Sequence, residues 1–133
     1  MGQRADTFIQ ALHTLEDSRD VGPIAALFAE GADTSNPLVK HGGEGKQGAE
    51  AFWTSYRNAF ETIRSEFRNI VEEGDAAILE WISEGQSKSG PFRYGGTSVI
   101  EYGSGGGDGG ITAFRAYFDP AHVLPPVKGT TGS

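Results

Sequence analysis

Apolar and polar positions alternate most regularly near the C-terminal end, over Ile111–Phe118. Side chains of a strand point alternately to its two faces. The segment therefore predicts a strand with Thr112, Phe114, Ala116 and Phe118 on one face and Ala113, Arg115 and Tyr117 on the other. Because both faces carry large apolar or amphipathic groups, we expect a central strand between a core or pocket and a second packed surface. The following Asp119-Pro120 ends it, since proline lacks the amide hydrogen that a ladder needs.

Three segments before residue 64 show helical spacing of apolar residues. The first follows Asp6, its apolar residues are Phe8, Ile9, Leu12 and Leu15, and polar residues 16–20 end it. The second is short, starts at Asp20 and Pro23, has Ile24, Leu27 and Phe28 inward, and ends at Gly31. The third follows a glycine-rich loop at 40–48 and has a stripe of Phe52, Trp53, Tyr56, Phe60 and Ile63. Between the second and third, residues 34–38 predict a brief extended segment, because Pro37 keeps Asn36 out of the helical region.

After Arg64 the period changes from helical to extended, which predicts strands at 66–72, 76–84, 92–102 (with a kink at Gly95-Gly96) and 111–118. Three helices followed by a four-stranded meander indicate an α+β fold, with the helices against one face of a curved, mainly antiparallel sheet. We expect a single domain over residues 1–120. Residues 121–133, rich in proline, glycine and threonine, predict a flexible tail.

Composition narrows the classes of function. The 133 residues carry 18 acidic and 11 basic side chains, for a formal net charge of −7, and no cysteine. Such an acidic chain has no electrostatic reason to bind nucleic acid or an anionic membrane. No stretch is apolar enough for a signal core or a membrane span, so we expect a cytoplasmic protein.

Two motifs suggest cofactor chemistry, and both have a simpler interpretation. Gly105-x-Gly107-x-x-Gly110 is similar to a dinucleotide fingerprint, but that fingerprint opens a helix and here a strand follows, so we interpret it as a hairpin loop and expect no cofactor. His13 and Glu16 have a spacing that suits two metal ligands. Since no second cluster accompanies them, we interpret them as a solvated helix face and expect no metal.

Aromatic residues at helical and strand spacing either line a cavity or fill a core. They are Trp53, Tyr56, Phe60, Trp81, Phe114 and Phe118. The polar residues Asn36, Ser83 and Ser98 fall on the same inward faces. Buried polar groups need partners, which a pocket with water or ligand supplies. This favours a cavity over a filled core.

Four stretches carry a family resemblance. They are 20–29 (Asp-Val-Gly-Pro-Ile-Ala-Ala-Leu-Phe-Ala), Asn36-Pro37-Leu38, 48–53 (Gly-Ala-Glu-Ala-Phe-Trp) and 111–120. Together they resemble the SnoaL-like, nuclear-transport-factor-2-like superfamily. The resemblance implies a cone-shaped α+β domain with an apolar pocket between helices and sheet, often dimeric through the outer sheet face. The superfamily includes isomerases, epoxide hydrolases, polyketide cyclases and non-enzymatic binders, so the fold does not choose a reaction.

The residues that carry chemistry in those relatives are replaced here. The aspartate base of ketosteroid isomerases corresponds to Asn36, and their tyrosine and second acid correspond to Leu12 and Ser98. The aspartate–arginine–aspartate set of epoxide hydrolases corresponds to Trp81, Ser83 and Ala116. Of the latter site only a water-positioning asparagine, Asn36, is kept. General acid–base groups each contribute about 10²–10⁴-fold to rate, so we expect no more than trace turnover of either kind.

Two hypotheses follow. The first is a pocket protein that binds or transforms a mostly apolar ligand such as a terpenoid, steroid or polyketide. Whether it is an enzyme stays open; if it is, shape and hydrogen bonds carry the isomerisation, cyclisation or hydrolysis, with Asn36, Ser83 and Ser98 as candidate catalytic residues. The expected ligand contacts are Leu12, Asn36, Trp53, Tyr56, Trp81, Ser83, Ser98, Phe114, Ala116 and Phe118. The second is a non-enzymatic binding or dimerisation domain with a filled core.

The outer face of the sheet also predicts an association. Ile82, Val99, Arg115 and Tyr117 give it apolar area beside charges, which favours a homodimer. The alternative is a solvated face marked by Glu80, Glu84 and Glu101.

Overall fold

A computed structural model describes residues 3–35, 45–103 and 110–119. The helices are α1 (Gln3–Ser18), α2 (Gly22–Ala25) and α3 (Gly45–Ala59). The strands are β1 (Phe28–Ser35), β2 (Thr62–Glu73), β3 (Ala76–Ser87), β4 (Gly90–Tyr102) and β5 (Ile111–Phe118). No helix in these ranges is long and apolar enough to cross a membrane.

The strands form one sheet in the order β1-β5-β4-β3-β2. Neighbours from β2 to β5 are antiparallel, and β1 pairs in parallel with β5. Buried apolar residues of α1 and α3 join those of one sheet face in a single core. This confirms the predicted α+β architecture of three helices on a mainly antiparallel sheet. The predicted tail at 121–133 lies outside the described residues, and the domain bounds stay a prediction.

The prediction that the second helix continues to Gly31 was wrong, whereas Thr34 and Ser35 are extended as predicted. The second helix ends at Ala25, and β1 begins at Phe28, three residues before the predicted helix end. The cause is a partner distant in sequence. The amide of Ile111 donates to the carbonyl of Leu27 at 2.9 Å, and Thr34 lies opposite Phe114 in the parallel ladder. The sheet therefore has five strands.

The ends of the first and third helices also differ from the prediction. Helix α1 continues through the polar run to Ser18, where Arg19 ends it with a positive φ of 65°. The third helix ends at Ala59, so Ile63 belongs to β2 and faces the core from there. In both cases the helix ends at a residue where the sequence pattern does not change. The polar run of the first helix continues past Ser18, and the apolar stripe of the third continues past Ala59.

Strand β5 shows most of the alternation predicted for it. Phe114 and Ala116 are buried on the inner face, and Tyr117 is 54% exposed on the outer one. Thr112 departs from the expected inner position. A register shift at the end of the β4–β5 ladder places Ile111 inside and leaves Thr112 exposed, where its hydroxyl donates to the carbonyl of Glu101 at 3.1 Å.

Candidate functional site

A cavity of about 110 Å³ lies between α1, α3 and the inner face of the sheet. All but one of the residues expected to contact a ligand line it: Leu12, Trp53, Tyr56, Trp81, Ser83, Ser98, Phe114, Ala116 and Phe118. The exception, Asn36, lies outside the described residues. The inward faces predicted for α3 and for the central strands thus border the same cavity.

The apolar walls are rings in edge-on contact. Trp53 packs against Phe52, Tyr56 and Phe114, with ring centroids 5.0, 5.4 and 5.1 Å apart. Across the cavity Trp81 packs against Tyr94 at 5.4 Å and Phe118 at 6.2 Å. Each edge-to-face ring pair stabilises by about 0.5–1.5 kcal/mol beyond the effect of the buried area. These contacts therefore favour walls of fixed shape.

One wall contains a buried carboxylate. Glu16, only 8% exposed, accepts hydrogen bonds from the backbone amide of Ser65 at 2.9 Å and from the Ser65 hydroxyl at 2.6 Å. It also accepts one from the hydroxyl of Tyr56 at 2.9 Å. The Ser65 hydroxyl lies 2.6 Å from that of Ser83. Elements α1, α3, β2 and β3 each contribute one residue to this Glu16 cluster.

The carboxylate sets the direction of these hydrogen bonds. A carboxylate only accepts, so Ser65 gives it its single hydroxyl proton, and Ser83 must then donate to Ser65. Tyr56 gives its proton to Glu16 as well. Both Tyr56 and Ser83 line the cavity. With their protons engaged, each offers the cavity only lone pairs, and this part of the wall accepts hydrogen bonds.

The tyrosines near the cluster stay protonated. Burial, and then the negative charge of Glu16, raise the pKa of Tyr56 well above its usual value. The same two causes, in the same order, raise the pKa of Tyr94, which lies opposite Ser83 in the β3–β4 ladder. Tyr56 therefore acts as a hydrogen-bond donor to Glu16 at any pH near neutral.

A second polar position lies on the same sheet face. The indole Nε1 of Trp81 donates to the hydroxyl oxygen of Ser98 at 2.9 Å. Ser98 is 4% exposed and lines the cavity. The hydroxyl proton of Ser98 has no acceptor among the described residues, so Ser98 can donate a hydrogen bond to a ligand. The predicted inward positions of Ser83 and Ser98 thus become two wall positions of different polarity.

The interpretation of His13 and Glu16 as a solvated helix face was wrong. Glu16 is buried, and His13 is half-buried with its Nε2 2.9 Å from the carbonyl oxygen of Ser65. The signal was in the sequence, because Phe8, Leu12 and Glu16 recur at four-residue spacing and share one helix face. Within the described ranges no group of three or more His, Asp or Glu side chains is placed to hold a metal.

Three buried side-chain polar atoms have no hydrogen-bond partner among the residues that the structure describes. They are Nε1 of Trp53, which belongs to a residue of the cavity wall, Oγ1 of Thr34 on β1 and the hydroxyl oxygen of Tyr102 on β4. A buried donor without a partner is unfavourable by about 1–3 kcal/mol. The Trp53 indole is thus a group that a ligand or a water molecule could satisfy.

Comparison with known protein families identifies the family of this chain. The model of the SnoaL-like domain matches residues 8–113, and the chain therefore belongs to the SnoaL-like family. No curated protein matches the chain in sequence. The family confirms the resemblance drawn from the four sequence stretches.

Solved structures of similar fold share little sequence with this chain. An NTF2-like protein from Anabaena variabilis superposes with a TM-score of 0.74 at 18% identity, covering 86% of each chain. A protein from Catenulispora acidiphila with a ketosteroid-isomerase-like fold, in complex with trimethylamine, gives 0.72 at 16% identity and 88% of each chain. A limonene-epoxide-hydrolase-like (LEH-like) epoxide hydrolase from M. tuberculosis gives 0.65 at 16% identity, covering 89% of this chain and 86% of its own. At these identities the likeness concerns the fold alone.

Proposed function

We propose that this chain binds a small, compact and mostly apolar organic molecule in the cavity between its helices and its sheet. One observation carries the proposal: a cavity walled by aromatic rings has, in its polar wall, a buried carboxylate that fixes the direction of the wall hydroxyls. Ligand sites combine these features, a mostly apolar lining with few polar groups in set orientations.

The size of the cavity narrows the ligand class. An engineered apolar cavity of about 150 Å³ takes up benzene. The volume here, about 110 Å³, therefore favours a ligand of one ring or a short branched chain. Among the classes expected from the sequence, a small terpenoid fits this space better than a steroid or a large polyketide.

The chemistry we propose is binding, with any catalysis left to shape and hydrogen bonds. The positions that correspond to the acids and bases of related enzymes hold Leu12, Asn36, Trp81, Ser83, Ser98 and Ala116. All of these except Asn36, which lies outside the described residues, line the cavity. None of them transfers a proton near neutral pH. The complex of the Catenulispora protein with trimethylamine supports a small organic ligand for a fold of this kind.

We also propose that the chain forms a homodimer through the outer face of the sheet. Val71, Ile78 and Val99 lie opposite one another across three strands of that face, and Arg115 continues the row. Val71 is 57% exposed and Ile78 47%. Such an apolar row on a sheet face is typical of a covered surface. The cytoplasmic location stays a prediction from the sequence.

A matched pair of substitutions on β5 tests the binding proposal. Ala116→Leu fills the cavity from the inner face, whereas Ala113→Leu adds the same atoms on the outer side of the same strand. We expect wild type and Ala113→Leu to bind small cyclic compounds saturably, measured by the fluorescence of Trp53 and Trp81. Ala116→Leu should lose that binding.

The alternative function, a binding or dimerisation domain with a filled core, gives a different result. In that case no compact apolar compound changes the fluorescence of wild type, and Ala116→Leu is merely overpacked. Overpacking destabilises by about 1–3 kcal/mol. If the cavity has room for the leucine side chain, Ala116→Leu should lower the free energy of unfolding by less than that.

A further inference from the structure

The Glu16 cluster places a negative charge next to the cavity without a positive one. Glu16 forms no ion pair with any residue that the structure describes. No lysine, arginine or histidine from those ranges lines the cavity. Burying a carboxylate is unfavourable unless hydrogen bonds and an opposite charge compensate it. Ser65 and Tyr56 supply the hydrogen bonds, and no residue of the described ranges supplies the opposite charge.

The wall hydroxyls nearest this charge can receive protons from a ligand. Tyr56 and Ser83 present lone pairs, because their own protons point toward Glu16 and Ser65. The hydroxyls of Tyr94 and Ser98 can rotate to accept as well. A ligand group that donates hydrogen bonds therefore meets acceptors at Tyr56 and Ser83, whereas a carbonyl or carboxylate would face lone pairs there. The donor Nε1 of Trp53 lies elsewhere on the wall and is left for a water molecule.

The surrounding rings suit the same kind of group. Tyr56, Trp81 and Tyr94 line the cavity, with Phe60 and Phe118 beside them. Aromatic rings attract a cation through their electron-rich faces, by about 0.5–2 kcal/mol per contact depending on solvation. Charge, hydrogen-bond direction and ring chemistry all select the same ligand group.

We propose that the ligand of this cavity is a small organic amine, bound as its ammonium ion with an N–H directed at Ser83 and Tyr56 and its apolar body among the rings. This rests on the proposed function, since it names the ligand class of the same cavity. The Glu16 carboxylate supplies the counter-charge through the two hydroxyls and lies behind them, so it recognises the amine without lining the cavity.

Three probes of one shape separate charge from hydrogen bonding. Cyclohexylamine is a charged donor at neutral pH, cyclohexanol a neutral donor, and methylcyclohexane neither. We expect affinity to fall in that order in a calorimetric or fluorescence titration, with the amine ahead of the hydrocarbon by at least about tenfold. Cyclohexanecarboxylate should bind weakest of all.

The substitution Glu16→Gln tests whether the charge of Glu16 causes this order of affinities. The Gln amide donates as well as accepts, so the Ser65 proton turns toward Ser83 and the Ser83 proton turns into the cavity. The preference for amine over alcohol should then disappear. The matched control is Asp17→Asn, which changes net charge by the same amount on the adjacent residue, 61% exposed and paired with Arg64 outside the cavity. It should keep the wild-type order.

The results separate the two proposals. If wild type binds none of the probes, both the binding function and the amine class are wrong. If it binds alcohol and hydrocarbon as tightly as the amine, the cavity binds small molecules and the amine inference is wrong. Should Glu16→Gln not fold, Ser83→Ala replaces it, because the loss of one acceptor lowers the amine preference severalfold while Glu16 stays in place. An unchanged preference in Ser83→Ala contradicts the inference.

Discussion

The carboxylate of Glu16 on α1 accepts two hydrogen bonds from Ser65 on β2, one from its amide at 2.9 Å and one from its hydroxyl at 2.6 Å. This pair joins the first helix to an edge strand of the sheet at the wall of the cavity. Because Tyr56 donates to the same carboxylate, removing the carboxylate takes the acceptor away from three donors.

The first prediction concerns that removal. Glu16→Ala should lower the free energy of unfolding by about 3 kcal/mol or more, since hydrogen bonds to charged groups contribute about 1.5–3 kcal/mol each and the donors left behind are buried. Urea unfolding measures the change. Asp17→Ala is the control, and an exposed position of this kind should stay within about 0.5 kcal/mol. A loss below about 1 kcal/mol in Glu16→Ala would contradict the role given to the cluster.

The glycine pair on β4 gives the second prediction. A Cβ at Gly96 would lie 2.6 Å from two ring atoms of Trp81 and 2.6 Å from the carbonyl oxygen of Tyr117. At Gly95 the closest atom, the carbonyl oxygen of Trp81, is 3.3 Å away. Gly96→Ala should therefore destabilise the fold by about 1–3 kcal/mol through overpacking, and Gly95→Ala by clearly less. Equal effects of the two substitutions in thermal unfolding would show that Trp81 does not occupy this place.

Alkaline pH gives the third prediction. Burial, then the charge of Glu72, raise the pKa of Tyr102 to about 12, with Arg4 opposing them, and burial first raises the pKa of Tyr56 and Tyr94 as well. From about pH 10 upward the unfolded chain loses protons that the folded chain keeps, so the free energy of unfolding should fall as pH rises toward 12. Urea unfolding at several pH values measures the slope. Tyr94→Phe should make it shallower; a stability that is constant from pH 8 to 11 would contradict the burial of these phenols.

The outer sheet face gives the fourth prediction. Ile78→Lys places a charge in the middle of the row formed with Val71 and Val99. If this face is the dimer interface, sedimentation should show a dimer for wild type at micromolar concentration and a monomer for the variant. The control, Glu84→Lys, changes a residue paired with Arg93 on the same face, away from the row. A wild-type monomer would contradict the proposal.

The predictions from the sequence succeeded where the information is local. The alternation in β5 and the stripe on α3 brought Phe114, Ala116 and Trp53 to the cavity as expected. The first part of strand β1 was missed, and residues 28–31 were assigned to a helix, because its partner, β5, lies some eighty residues away and the local pattern does not contain that pairing.

Glu16 was missed for a different reason. It stands at the start of a polar run, so composition indicated solvent, while helix phase placed it on the buried face with Leu12. The donors that compensate its burial, the amide and hydroxyl of Ser65 and the hydroxyl of Tyr56, come from two other elements. Single-sequence patterns do not contain that kind of compensation.

A crystal structure of the protein with bromobenzene tests most directly whether the cavity is a ligand site. The anomalous signal of bromine locates the bound molecule. We expect one strong bromine peak in the cavity, between Trp81 and the packed pair Trp53–Phe114, because the proposal gives the cavity room for a compact aromatic compound. The peak should be lost in Ala116→Leu and kept in Ala113→Leu. Crystals of wild type in which Trp81 packs directly against the Trp53–Phe114 pair, with no bromine between them, would contradict the claim that the cavity is a ligand site.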